Sequence, residues 1–529
     1  MNRKKIVASA MTLSMATAML LSACGNTNNN NSNANSKPSS NASETAGATN
    51  NGGATDNTGG AVDPSKLPPR EISIYFEGPK AQTDTALVEA ELNKITKAKI
   101  NATVKINHLS WGDFPQKMNL MMASGEPFDL MFTAGFDNFT GNVSKGAFVQ
   151  LDDPNNNLLE KYGQDILKSI NPVLLNGGKV DNKLYAIPTQ KEMASQYGML
   201  LQKEIVDQYG IDLSSIKKLE DLEPYLLNVK KDHSDMIPIV ASSNWLAILP
   251  YELVGSQESP GRLPKDGSTK VVNIFEQQDT KDLFKLMEKW YKLGLFQKDP
   301  ATNTELSAQL KTGLLFATEA QLKPGAAEES SINLTKPVVQ VPLTPTYTQI
   351  GDLNNSMLAI SKTSKDPERA MMFLNLLHSD PDVVNLLDFG VEGKHYVKVD
   401  GKTTVIKHLD GVETSEIGYA PGNAWQVGNQ FLSYTFETEN EHKWENFKTF
   451  NESSTPSVLA GFSYNNEPVK NEEAAIAAIW KKYIDALSAG IGNTDDYLNK
   501  MNNEMKKAGM DKILQEKQRQ IDAFLASKK

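Results

Sequence analysis

The chain has 529 residues, 39% of them hydrophobic, and a formal charge of −10 at neutral pH. That length allows two or three domains with substantial cores, and the acidic balance argues against nucleic acid as a partner. Cys24 is the single cysteine, which excludes an intramolecular disulfide and any multi-thiolate metal site.

The N-terminus divides as a secretory signal does. Arg3, Lys4 and Lys5 precede an apolar run over 6–21, and Leu21-Ser22-Ala23 leads into Cys24. The run is shorter and more polar than a bilayer-spanning helix, which needs about 20 apolar residues. Residues 1–23 are therefore expected to be a cleaved signal peptide and Cys24 a lipid attachment site. Residues 24–69 are rich in Asn, Ser, Gly and Thr and poor in large apolar side chains. Such a stretch cannot bury enough surface to fold, and a tether of about 45 residues reaches about 35–40 Å. The expected location is the extracytoplasmic face of the cell membrane, held by lipid, in a Gram-positive setting.

The body opens with alternating strands and helices. Ile72, Ile74 and Phe76 share one face of a strand over 71–76, and a helix over 85–99 presents Val88, Leu92 and Ile95. Ala102, Val104 and Ile106 alternate with polar residues in a second strand, a helix follows over 112–123, and 128–132 is an apolar strand after the turn Gly125-Glu126-Pro127. The order βαβαβ predicts a parallel sheet. Ligands on such sheets gather at the carboxyl ends of the strands. The loops there carry Glu77, then Trp111 and Asp113, then Phe136, Asp137 and Asn138. Carboxylates, amides and flat rings in three successive loops suit a polyhydroxylated ligand, because rings pack on the apolar face of a sugar and polar groups take its hydroxyls.

Further along, Lys183-Leu184-Tyr185-Ala186-Ile187-Pro188 follows a Gly-rich turn and leads into a new set of elements. This segment resembles the crossover of family 1 extracellular solute-binding proteins, the receptors of bacterial ABC importers. The stretch 126–133 is similar to that family's approach to its third strand. Residues 359–377 are similar to its return strand and helix, where Asp366 suits an N-cap and Pro367 the first turn. Residues 390–403 and the Trp425 region resemble a C-terminal extension found in larger lipoprotein members.

The resemblance implies an α/β fold of two lobes joined by hinge crossovers, with the ligand between them. Lobe 1 is expected to take 70–188 and about 340–395; lobe 2 and the C-terminal extension, 189–339 and about 396–529, with a mostly helical C-terminal region. It further implies a saccharide ligand, ABC permease subunits with a separate ATPase as partners, and a monomeric receptor without cofactor, metal or catalytic residue. The absence of a phosphate-binding loop ending in Lys-Ser or Lys-Thr agrees with a separate ATPase. Trp111, Trp245 and Trp425 lie beside loop residues and join Tyr185, Glu77, Asp113, Phe136, Asn423 and Tyr347 as ligand-contact candidates. Trp290, Trp444 and Trp480 fall within amphipathic patterns and read as core. A surface-anchored glycoside hydrolase, an adhesive surface protein, and a receptor for a peptide or other small solute stand as alternatives.

Overall fold

β1 (Arg70–Gly78) and β2 (Ala102–Ser110) run parallel in register from Arg70 opposite Ala102 to Gly78 opposite Ser110. The computed structural model describes residues 63, 66–78, 82–242, 244–302 and 310–528. The signal segment, Cys24 and the tether as far as residue 62 lie outside the described residues.

β3 (Leu130–Thr133) lies parallel on the other side of β1. The strands Met357–Ile360 and Ala186–Pro188 then complete the sheet, each antiparallel to its neighbour. Ile72, Ile74 and Phe76 are buried, as their alternation requires. α1 (Thr85–Ile100) packs on this sheet through Val88 and Leu92. Its Glu89 carboxylate accepts from Ile106 N at 2.8 Å and from Lys105 Nζ at 3.0 Å, which ties helix to strand. α2 (Asp113–Ser124) ends at Gly125, whose φ of 72° is a left-handed conformation that glycine adopts without strain. Asp129, just before β3, accepts from Ser73 N at 2.9 Å and from Ser364 Oγ at 2.6 Å, so one buried carboxylate links β1, β3 and the helix Pro367–Ser379 region. In that helix Asp366 caps the Arg369 N–H at 2.9 Å, Pro367 occupies the first turn, and Ala370, Phe373, Leu374 and Leu377 are buried.

A second sheet has the order Val338–Pro342, Gln196–Gln202, Leu315–Leu322, Ile237–Ile239. Its separate core gathers Leu226, Phe284 and Trp290 from flanking helices, and Ile476, Trp480 and Met501 from helices Lys470–Ser488 and Thr494–Lys507. Two sheets with two cores are the two α/β lobes.

One boundary differs from the sequence expectation. The sequence places residues from about 396 in lobe 2 and the C-terminal extension, but Tyr419, Trp425 and Val427 pack with the first core, and the Tyr419 hydroxyl donates to Leu387 O at 3.0 Å. The physical reason is a small sheet of Val397–Lys398, Val405–Lys407 and Thr435–Phe436. Its Phe436 meets Phe389 of lobe 1 edge-to-face at 5.5 Å. Only the later helices join lobe 2.

Three segments connect the lobes: 189–195, 343–356 and the run around Thr455–Pro456, which pairs with Tyr347–Thr348. Ser195 and Tyr347 pair as an isolated bridge, and Ser195 Oγ donates to Asp352 at 2.9 Å.

Phe373 is fully buried in the first core. Phe373→Ala should therefore cost about 3–5 kcal/mol, read as a lowered urea midpoint. A loss below about 1 kcal/mol would show that this helix does not seal the lobe.

Candidate functional site

Because β1, β2 and β3 are parallel, their carboxyl ends share one edge of the first sheet, and the structure brings the loops after all three together there. Trp111 follows β2 and Phe136 follows β3, in the short 3-10 turn Gly135–Asp137. Both rings are open to solvent, Trp111 at 49% and Phe136 at 68% exposure. Trp425 arrives from the distant turn Ala424–Gln426 and lies parallel to Trp111, with ring centroids 6.1 Å apart and an interplanar angle of 4°. Phe132 meets Trp425 edge-on at 5.2 Å and is 6.3 Å from Phe136. Four rings thus run from the end of β2 to the loop after β3.

Gln426 holds this arrangement in place. Its side-chain amide donates to Glu77 O at 2.7 Å and accepts from Glu77 N at 3.2 Å, so the turn is locked to the last residues of β1. Ser356 Oγ adds a bond to Trp425 O at 2.7 Å. Asn423 is 1% exposed, and neither of its amide atoms has a partner among the described residues.

Glu77 is itself buried beside this turn. Burial pushes its carboxyl from the ordinary 4.5 up to about 7, with the charge of Asp137 adding to the effect. Burial likewise pushes Asp137 up to about 6.

The Phe136 end of this edge borders a cleft of about 880 Å³. Phe136, Asn138 and Thr140 line it from lobe 1; Tyr197, Asn244 and Tyr251 from lobe 2; Gln349 and Asn354 from the hinge. Asn244 is oriented by Glu319, which accepts from its Nδ2 at 3.2 Å and from Ser242 Oγ at 3.1 Å. Burial pushes the Glu319 carboxyl up to about 6. Lobe 1 therefore gives this lining one ring, Phe136, with amide and hydroxyl groups beside it, and lobe 2 gives it amide and phenol groups.

The predicted residues fall into two groups. Trp111, Trp425, Phe136, Glu77 and Asn423 come together at the lobe 1 edge. Four others do not join them. Trp245 is 0% exposed in the core of lobe 2, because the 3-10 turn Trp245–Ile248 turns Asn244 to the cleft and the next side chain inward. Asp113 serves its own helix start, accepting from Ser110 Oγ at 2.6 Å while its N–H donates to that oxygen. Tyr185 is half-buried against the first core, with its N–H on Gly178 O at 2.9 Å. Tyr347 is buried in the hinge, where its hydroxyl donates to Glu252 at 3.4 Å and the Lys265 ammonium lies 5.1 Å from its ring.

Several residues at or behind the site escaped sequence reasoning. Phe132 sat in a run read only as buried strand. Gln426 carried no local signal, since its partner Glu77 is 349 positions away. The run Tyr464-Asn465-Asn466 has the same ring-and-amide mixture as the loops singled out, and that composition was the available clue.

Comparison with known proteins gives two family matches. The model described as bacterial extracellular solute-binding protein matches residues 78–383, and a domain of unknown function, DUF3502, matches residues 458–526. A carbohydrate ABC transporter substrate-binding protein of Streptococcus pneumoniae serotype 4 is 30% identical over 462 residues, covering 87% of this chain and 91% of its own. The crystal structure of an N-glycan transport solute binding protein from Streptococcus pneumoniae superposes with a TM-score of 0.76 at 30% identity, over 87% of this chain and 100% of that one. A structure of that protein in complex with Man5GlcNAc gives a TM-score of 0.64 at 30% identity, with the same coverage of 87% and 100%.

The raised carboxyl of Glu77 has a measurable consequence. The folded state holds a proton there that the unfolded chain releases near 4.5, so this contribution to stability is present at acid pH and is lost as pH rises toward about 7. Glu77→Gln mimics the protonated form and should shrink the fall in Tm between about pH 5 and about pH 8. An undiminished fall in the variant would contradict this placement of Glu77.

Proposed function

Because the chain belongs to the bacterial extracellular solute-binding protein family, we propose that it is the receptor of an ABC importer that captures an oligosaccharide between its two lobes. The observation that carries this reading is the row of rings Trp111, Trp425, Phe132 and Phe136, whose Phe136 end lines a cleft that Tyr197, Asn244 and Tyr251 border from the other lobe. Tryptophan faces pack on the apolar side of a pyranose ring, and the amides and carboxylates opposite take its hydroxyls. The carbohydrate-binding relatives support the same ligand class. A volume of about 880 Å³ sits toward the top of the usual range for small-ligand sites, roughly 300–1,000 Å³, which favours more than one sugar ring.

Capture proceeds without chemistry. Trp111, Trp425 and Phe136 hold the ring faces on lobe 1, while Asn244, Tyr197 and Tyr251 present hydrogen-bonding groups from lobe 2. A sugar touching both walls binds better when the lobes are closed, and only that difference can shift the protein toward closure. The closed form docks on a permease, with ATP hydrolysis supplied by a separate subunit. Lipid on Cys24 would keep the receptor at the extracytoplasmic face of the membrane, where tethering raises its effective concentration at the permease. Glu77 and Asp137 then act as hydroxyl partners rather than as an acid and nucleophile, and a bound glycan leaves unchanged.

Thermal-shift screening against oligosaccharides, monosaccharides and peptides tests the reading. A saccharide at about 100 times its Kd should add about 2.7 kcal/mol of stability. Stabilisation by peptides alone, or cleavage of a glycoside lost in Glu77→Gln, would overturn it. Trp111→Ala should weaken saccharide binding about 2- to 12-fold, the equivalent of about 0.5–1.5 kcal/mol of ring stacking, with little change in Tm. Trp245→Ala should do the reverse, lowering stability by about 3–5 kcal/mol because it opens the lobe 2 core.

A further inference from the structure

The DUF3502 match covers residues 458–526, and the loop that opens it runs along the cleft. Tyr464, Asn465, Asn466 and Glu467 line the cleft, facing in part the 253–258 loop of lobe 2. Asn465, Asn466 and Glu467 are exposed. Ring, amides and carboxylate repeat the composition of the lobe 1 edge.

The backbone beneath these side chains is fixed from several directions. Gln520, on the terminal helix Met510–Ser527, accepts from Asn465 N at 2.9 Å and donates to Asn465 O at 2.7 Å. The Tyr464 hydroxyl donates to Glu473 at 3.1 Å. Lys517, fully buried, donates to Val254 O, to Ser259 Oγ at 2.6 Å and to Gly261 O at 3.3 Å, and its ammonium lies 5.1 Å from the Tyr464 ring. One buried lysine therefore bonds the 253–261 loop and packs against the Tyr464 ring of the 462–467 loop. A contact to lobe 1 adds to the mounting, Ser463 Oγ donating to Lys179 O at 3.0 Å, and Lys528 Nζ donates to Ala460 O at 2.9 Å within the C-terminal segment. Rigid backbone with exposed polar tips is the arrangement of a binding site, since the cost of ordering has been met before the ligand arrives.

We propose that this segment is a ligand-contacting wall, a distal subsite at which Tyr464, Asn466 and Glu467 read the sugars of a longer glycan beyond those stacked on the tryptophans. The proposal rests on the receptor reading and assigns the DUF3502 segment a role in selecting ligand by length. Short glycans satisfy the aromatic edge alone; longer ones also reach the C-terminal wall.

The test is calorimetric titration of the full chain and of Asn466→Ala/Glu467→Ala with matched short and long ligands. The pairs are Man1GlcNAc against Man5GlcNAc, and disaccharide against hexasaccharide of the gluco-, xylo- and manno- series. The double variant should keep its Tm and its affinity for the short ligand and lose about 5-fold or more on the long one, as expected when one or two hydrogen bonds are removed. A second variant, Tyr464→Ala, should give the same length-dependent loss and keeps the test decisive if the first misfolds. Equal loss on both lengths, or no loss on either, would overturn the subsite while leaving the receptor standing. Failure of every saccharide to bind the wild-type chain would overturn the receptor reading and the subsite with it.

Discussion

The parallel register of β1 with β2 and β3 is the constraint on which the site depends. Parallel strands cannot be joined by a tight turn, so each must return through a helix, and every strand then delivers its following loop to the same edge. Here that edge receives Glu77, Trp111 and Phe136 from three separate crossovers. Were any one strand reversed, its loop would emerge at the opposite end of the sheet. The aromatic row therefore follows from topology first and from side-chain chemistry second.

The hinge solves a different problem. It must bury polar groups and still allow the lobes to move. Glu252 is fully buried and accepts from Ile350 N at 2.6 Å and Ser457 Oγ at 2.5 Å. Burial raises its carboxyl above the usual range, as it does that of Asp352, and lowers the Lys265 ammonium nearby. A buried charge without partners would be costly, so these groups specify how three chain segments cross and in what register. The Thr455–Pro456 pairing with Tyr347–Thr348 brings the C-terminal segment into that crossing. The third crossover and the cleft wall beyond it are thus parts of one continuous stretch of chain.

How much of this was legible depends on the range of the interaction. Ile72, Ile74 and Phe76 announced their strand because alternation is a local signal, and Asp366-Pro367 announced the start of a helix for the same reason. Trp245 misled because a flanking polar residue says nothing about which side of a single 3-10 turn meets the core. Tyr347 misled because the hinge needed its hydroxyl for Glu252. Gln426 and Tyr464 were silent: each matters through a partner brought near by folding, and no local period encodes that approach. The family resemblance supplied the two lobes but not which part of the C-terminal region packs on lobe 1. The small sheet ending at Thr435–Phe436 packs on Phe389 through aromatic contacts that have no sequence motif.

The most direct measurement of the central claim is a crystal structure of the protein grown with a bound oligosaccharide. The account predicts a glycan lying in the cleft between the lobes, with a pyranose ring against the Trp111–Trp425 edge, hydroxyls on Asn244 and its neighbours, and the lobes closed relative to the unliganded protein. A glycan seated outside the cleft, or one bound with both tryptophans untouched and the lobes unmoved, would contradict it.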